Sequence, residues 1–310
     1  MYSQQPDSLF LARLPQWVTT GHRDSVENVA FLSSAALTVL NALIGDPSEI
    51  VPSRLLANHL ALKAAHATSR LEGRLADEAT IRDAFYLTPQ GASSGPDGEM
   101  LGFWRSAVAI RLTKKNWVTE LAEVTGADPL EMLTAGSDGK PSPFTACQKI
   151  LQTVLSQDPH AERVACVLSD ISLARALGWQ HPLPLTARYL TKPKIRAVAA
   201  GGDDADLIFA TALLRSIEEA VHLARDLAER AESLRAITPK LRSKGSEAAT
   251  RLFLIDDAIA PSGMLSPLIK GSSQRMTDRA ARRFCDRLVE LGVARELTGR
   301  PTFRLYGIAG

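Results

Sequence analysis

The sequence predicts a mainly α-helical fold, with a helical bundle over residues 1–238 and a winged helix-turn-helix with a short β-hairpin over 239–310. Three observations carry this expectation. Apolar residues recur at steps of three and four nearly throughout. Val-, Ile- and Tyr-rich alternation is scarce until the last fifteen residues. The chain closes with "MTDRAARRFCDRLVELGVARELTGRPTFRLYGIAG", residues 276–310, where arginines crowd a helical pattern ahead of a Gly-Arg-Pro turn. At 310 residues and 45% apolar composition there is material for one large or two modest cores without covalent staples.

Taken in order, the first helix runs from about Ser25 to Ile44 and stops before "GDPSE". A second, opened by Pro52 and Ser53, runs from Arg54 to Leu71 and stops at Gly73. A third starts at Asp77, whose carboxylate caps it, and ends by Pro89. Residues 89–99, "PQGASSGPDGE", read as a loop from their Gly, Ser and Pro content, with a helix around Trp104 beyond them. "TGADPLEMLTAGSDGKPSPF" is a short helical turn between loops. Helices follow over 144–156 and 160–177, ending at "LGWQHPLPL", and then a stiff Pro-rich link. Asp203, Asp204 and Asp206 are expected to cap the longest helix, Leu207 to Ile237, which Pro239 ends. The basic hinge "PKLRSKGS" places the domain boundary between Ile237 and Gly245.

Beyond the hinge, a helix over "EAATRLFLIDDAI" and a helical piece within "GMLSPLIKG" precede a helix from Asp278 to Leu291, capped by Thr277 and stopped by Gly292. Ala281, Phe284, Leu288 and Leu291 form its apolar stripe. The arginines lie off that stripe and concentrate in the first two turns, where a recognition helix presents side chains to the major groove. Then Val293, Arg295 and Leu297 alternate. A turn at Thr298 to Pro301 comes next, with Phe303 and Leu305 on one face and Arg304 and Tyr306 on the other.

Charge is divided along the chain in the same way. Residues 235–310 hold 14 Lys and Arg against 7 Asp and Glu, whereas the whole chain has a formal net charge of only +2. A basic tail on an acidic body suits a polyanion. Aromatic content of 5% argues against a stacking platform for single strands, which leaves the duplex backbone. Arg279, Arg282 and Arg283 are the expected groove contacts, and Arg275, Arg300 and Arg304 the expected phosphate contacts. A homodimer or a protein partner held by the same tail is the competing expectation.

Other chemistry finds little support. Cys147, Cys166 and Cys285 are widely spaced and read as reduced packing residues. His59 and His66 share a helix face without a third ligand, "GSDGKPS" lacks the spacing of a phosphate-binding loop, and no GxSxG elbow identifies a nucleophile. Trp104, Trp117 and Trp179 read as core anchors. No catalytic residue, metal or cofactor is therefore expected. No apolar run suggests a membrane span and no leader is visible, so a cytoplasmic protein is expected.

The strings "LALKAAHATSRLEGRLADEATIRDAFYL", "RALGWQHPLPL", "ITPKLRSKGS" and "MTDRAARRFCDRLVELGVARELTGRPTFRLYGI" resemble a bacterial family catalogued as domain of unknown function fourteen-oh-three, from about residue 30 onward. That family is mostly alphaproteobacterial and often encoded on large plasmids, so the resemblance implies a DNA-related role, such as a regulator or a plasmid-maintenance accessory factor. The tail is also similar to the C-terminal winged helix of Fic proteins, which transfer AMP. "TSRLEG" resembles their inhibitory helix, with Glu72 as its glutamate, and His181-Pro182 resembles the start of their catalytic loop. From Leu183 and Pro184 onward the chain lacks the aromatic residue, the acidic metal ligand and the glycine turn of that loop. The resemblance therefore implies a non-catalytic relative.

Overall fold

The computed structural model describes residues 11–45, 49–89, 91–135, 141–202, 204–241 and 244–308. They form a mainly helical molecule with one small sheet among the described residues. The helices are α1 (Gln16–Thr20), α2 (Val26–Ile44), α3 (Ser53–Leu71), α4 (Glu78–Tyr86), α5 (Gly95–Ala109), α6 (Trp117–Thr125), α7 (Pro129–Ala135), α8 (Pro143–Gln157), α9 (Glu162–Ala176), α10 (Lys192–Ala200), α11 (Ala205–Ile237), α12 (Ser246–Phe253) and α13 (Asp278–Glu290). Strands β1 (Arg295–Glu296) and β2 (Tyr306–Gly307) pair antiparallel.

Four of the helix starts follow side-chain caps. Ser25, Asp77, Ser142 and Thr277 each accept a backbone N–H three residues on, satisfying an otherwise orphaned donor. Asp204 makes no such bond, and Asp206 instead accepts from Gln148 at 2.6 Å, so neither caps α11 through its side chain. Asp203 and residues 136–140 of "GSDGKPS" lie outside the described residues. Part of the expected loop at 89–99 is helical: α5 begins at Gly95, with a proline in its opening turn and Asp97 at the positive end of the dipole. Helices α1, α6 and α10 fall where no helix was expected.

The main partner of α11 is α2, and α8 packs on α9, while α3, α4 and α5 form a third group. At 33 residues, or about 50 Å, α11 buries Phe209, Leu213, Ile217, Ala224, Leu227 and Leu234 and runs directly into a 3₁₀ turn, Thr238–Lys240. By length and composition α2 is apolar enough to cross a membrane, contrary to the sequence reading. Beyond Glu27 and Asn28 in the first turn, its interrupting residues, Ser33, Ser34, Thr38 and Asn41, are polar but uncharged. In the structure Val29, Leu32, Ala36, Leu40 and Leu43 of α2 are buried in the core.

The tail shares that core. Phe253, Ile259, Phe284, Leu288 and Leu305 belong to the same cluster of buried residues as the bundle. Polar contacts add to this. Arg105 on α5 binds Asp256 and Asp257, which are 3% and 1% exposed, and Tyr86 donates to Asp257 at 2.6 Å. Asn58 donates to the Ile255 carbonyl at 2.7 Å, and Arg230 to that of Ile308 at 3.1 Å. Two adjacent carboxylates out of water carry a large desolvation penalty, and Arg105 offsets it with a fork that reaches both.

The link between α9 and α10 is held by another buried acid, Asp170. Asp170 Oδ1 accepts from the Leu185 and Thr186 amides at 3.1 and 2.9 Å and from the Thr186 hydroxyl at 2.6 Å. Its Oδ2 is buried with no hydrogen-bond partner. Burial pushes this carboxyl up to about 7, against the pull of the three donors.

Two outcomes are expected of these acids. Replacing Arg105 with Ala leaves Asp257 with only the Tyr86 hydroxyl and Asp256 with only the more exposed Lys270, and is expected to lower unfolding free energy by about 3–5 kcal/mol, measured by urea titration at neutral pH. For Asp170 the folded protein holds a proton that the unfolded chain loses near pH 4. Stability should therefore fall as pH rises from about 4 to 7, by roughly 4 kcal/mol in all, and level off above. Asp170→Asn should flatten that slope in a urea series at stepped pH; an unchanged slope would remove Asp170 as its source.

Candidate nucleic-acid interface

Helix α13 is built from opposed faces. Thr277 Oγ1 accepts from Ala280 N at 3.3 Å, and Asp278 adds negative charge at the N-terminus. Ala281, Phe284, Cys285 and Leu288 are buried, with the Phe284 ring 6.3 Å from that of Phe253. Burial pushes the Cys285 thiol well above its ordinary range; like Cys147 and Cys166 it is free and inert packing. Leu291, expected in the stripe, is exposed, because it lies past the last helical residue and the chain turns away at Gly292.

On the outer face Arg279, Arg283 and Arg287 lie four residues apart and form one ridge. They line an open groove of about 710 Å³ whose opposite side is Lys240 and Leu241, where α11 ends. Phe284 and Leu241 supply apolar surface for the long side-chain stems. Arg279, Arg283 and Lys240 have no side-chain hydrogen bond or ion pair with any described residue, whereas Arg287 pairs with Glu290 at 2.8 Å.

The six arginines singled out from sequence are separated by this geometry. Arg279 and Arg283 enter the groove. Arg282 points aside and pairs with Asp278 at 3.1 Å. Arg275 is exposed beyond the groove, its residue bridged to Leu268. Arg300 lies 3.2 Å from Asp83 of α4, and Arg304 lies 3.9 Å from Asp286. Sequence reading missed Lys240 and Arg287. The four-residue spacing was a signal for Arg287; only the fold brings Lys240 across.

The surrounding framework is compact. Helix α12 stops at Phe253, short of the expected end at "IDDAI". The piece near "GMLSPLIKG" is a single helical turn, Pro261–Leu265, broken by extended Ser262 and by Gly263 at φ 87°. Ile259 exchanges both backbone bonds with Tyr306, at 2.7 and 3.0 Å, giving the spatial order Ile259, β2, β1. Between the strands, Glu296 accepts from the amides of Thr298 and Gly299, both at 2.8 Å, closing the turn. Phe303 does not share a face with Leu305 as alternation predicted. It takes a left-handed φ of 55° and is exposed, while Tyr306 turns inward and donates to Asp286 at 2.9 Å. The hairpin is also tied to α4, since Arg82 donates to the Leu297 carbonyl at 2.9 Å.

The other candidates are packing or surface residues. His59 is half-buried, and desolvation lowers its pKa; His66 lies 3.7 Å from Glu78. Trp104 donates to Thr68 at 3.0 Å and Trp179 to Asn41 at 2.9 Å. Glu72, at the end of α3, pairs with Arg74. The His181 ring donates from Nδ1 to the Ile110 carbonyl at 3.0 Å, and burial lowers its pKa.

Compared with known proteins, residues 3–308 match a family model described as protein of unknown function (DUF1403). No curated protein matches the chain.

Proposed function

The chain belongs to the DUF1403 family, and we propose that it binds duplex DNA through α13 and the groove beside it, as a regulator or a plasmid-maintenance accessory factor. The observation that carries this reading is the groove itself. Three arginines at one helical spacing face a lysine across it, and three of these four cations have no internal partner among the described residues. Phosphate oxygens offer guanidinium groups the bidentate geometry they favour, and each phosphate neutralised releases condensed counterions.

The framework supports the same reading. A helix, a turn, a second helix rich in outward arginines and a three-position sheet ordered Ile259, β2, β1 follow the sequence of elements in a winged helix. In that arrangement α13 is the recognition helix and the hairpin is the wing. Arg300 and Arg304 then exchange Asp83 and Asp286 for phosphate, a smaller gain than for residues that start unpaired. A second reading, contact with a protein partner or another copy, is favoured by apolar side chains left exposed near the end of α13: Val289, Leu291 and, on the hairpin loop, Phe303, which is 76% exposed.

The test is a fluorescence-anisotropy titration of the full chain with random duplex DNA at several salt concentrations. Affinity should fall with salt, at about 0.9 log units per log unit for each phosphate engaged. Arg279→Ala and Arg283→Ala should each cost about 1–3 kcal/mol of binding. Arg282→Ala, which removes a residue already neutralised by Asp278, should cost less. Salt-independent binding, or equal losses at all three positions, would set this interface aside.

A further inference from the structure

At the tip of the hairpin an aromatic side chain is held in the open. Phe303 is 76% exposed, twice the value for Val289 or Leu291, at 37% and 38%. Regular alternation places residue 303 on the face of Leu305, which is fully buried. With φ at 55°, in the left-handed region that bulky residues rarely enter, Phe303 stands outside instead.

The loop that presents the ring is closed on both sides of it. Glu296 accepts from the Thr298 and Gly299 amides and from the Thr298 hydroxyl, and Arg304 Nε donates to the Arg300 carbonyl at 3.0 Å. At its base, Tyr306 donates to Asp286 at 2.9 Å. Asp286 comes three residues after Arg283 and seven after Arg279, on the same side of α13. The hairpin therefore stands beside the arginine row of the basic groove. From Leu297 to Gly310 the sequence contains no acidic residue, and Arg300 and Arg304 flank the ring. Their side chains remain 56% and 45% exposed although each lies near an acid. An apolar tip between two exposed cations suits a surface on which stacked rings lie between rows of phosphate.

We propose that, with α13 in the major groove, Phe303 enters the neighbouring minor groove and wedges between two base pairs, unstacking them and bending the duplex, while Arg300 and Arg304 bind the flanking phosphates. This rests on the DNA-binding reading above and adds how a site is chosen. Apolar wedges of this kind kink DNA by about 20–90°. Unstacking costs least at pyrimidine–purine steps such as TpA, so the hairpin selects deformable sequence without hydrogen-bonding to base edges. A wedge must not fold back under load, and the two closures around the loop supply that stiffness.

The test uses the full chain and two end-labelled duplexes of about 30 base pairs, alike in composition, one with TpA steps and one with its A·T pairs in unbroken A-tracts. A 2-aminopurine beside one TpA reports unstacking. On the TpA duplex, binding should raise both end-to-end energy transfer and 2-aminopurine emission, with affinity about fivefold or more above that for the A-tract duplex. Phe303→Ala should remove both signals and lower TpA affinity by about fivefold or more while leaving the salt dependence unchanged. Phe303→Asn, which accepts the left-handed backbone readily, should do the same, so that a shifted loop is not the cause. Phe303→Leu should keep both signals, since leucine also serves as a wedge. Salt-dependent binding without either signal, or signals that survive in Phe303→Ala, would overturn the wedge and leave DNA binding standing. Absence of binding to either duplex overturns both. A Phe303→Ala variant that alters only the sedimentation of the free protein assigns the ring to contact between copies, and the proposal fails.

Discussion

Two neighbouring carboxylates that cannot reach water govern how this chain is assembled. Asp256 and Asp257 lie just beyond α12, and the one group that faces both of them is Arg105, on a helix of the bundle, which offsets much of the cost of their burial. The guanidinium fork has little angular freedom, so satisfying two acids at once fixes α12 against α4 and α5 in position and rotation. Lys270 reaches Asp256 from the solvent side at 3.3 Å, which brings the next turn under the same constraint. Ile259 is thereby presented as a strand, and Tyr306 and β1 pair outward from it.

The basic groove is a product of that placement, because α13 supplies only one of its walls. Lys240 stands opposite because α11 continues unbroken into the turn that ends the bundle. The distribution of acids then sorts the arginines: Asp83, Asp278 and Asp286 neutralise Arg300, Arg282 and Arg304, and no acid of the described residues is paired with Arg279 or Arg283. Charge density alone marked the whole tail as basic, whereas the fold gathers the unpaired charges of Lys240, Arg279 and Arg283 at one groove.

How much of this was legible depended on the range of the interaction. Capped, strongly periodic helices such as α2, α3 and α13 were readable because Ser25, Pro52 and Thr277 act within one turn. Helix α10 was hidden by Lys192-Pro193, read as a stiff link although proline is welcome in a first turn. Phe303 broke the alternation because the loop around it closes on Glu296 and not on strand pairing. Arg105 carried no signal at all: its partners lie some 150 residues away and are ordinary surface residue types. The same holds for Lys240 in the groove, whose position there comes from what the fold sets beside it.

The pairing of Ile259 with Tyr306 has a consequence for how the protein is made. A ribosome adds about 5–20 residues each second, so the strand at Ile259 waits several seconds for the segment that completes its sheet, and Arg105 waits longer for its two acids. The bundle therefore emerges as an unfinished object, with a cation and a buried edge awaiting later sequence. Under vectorial synthesis the contacts of Arg105 with Asp256 and Asp257 and the pairing of Ile259 with Tyr306 are therefore among the last to become possible.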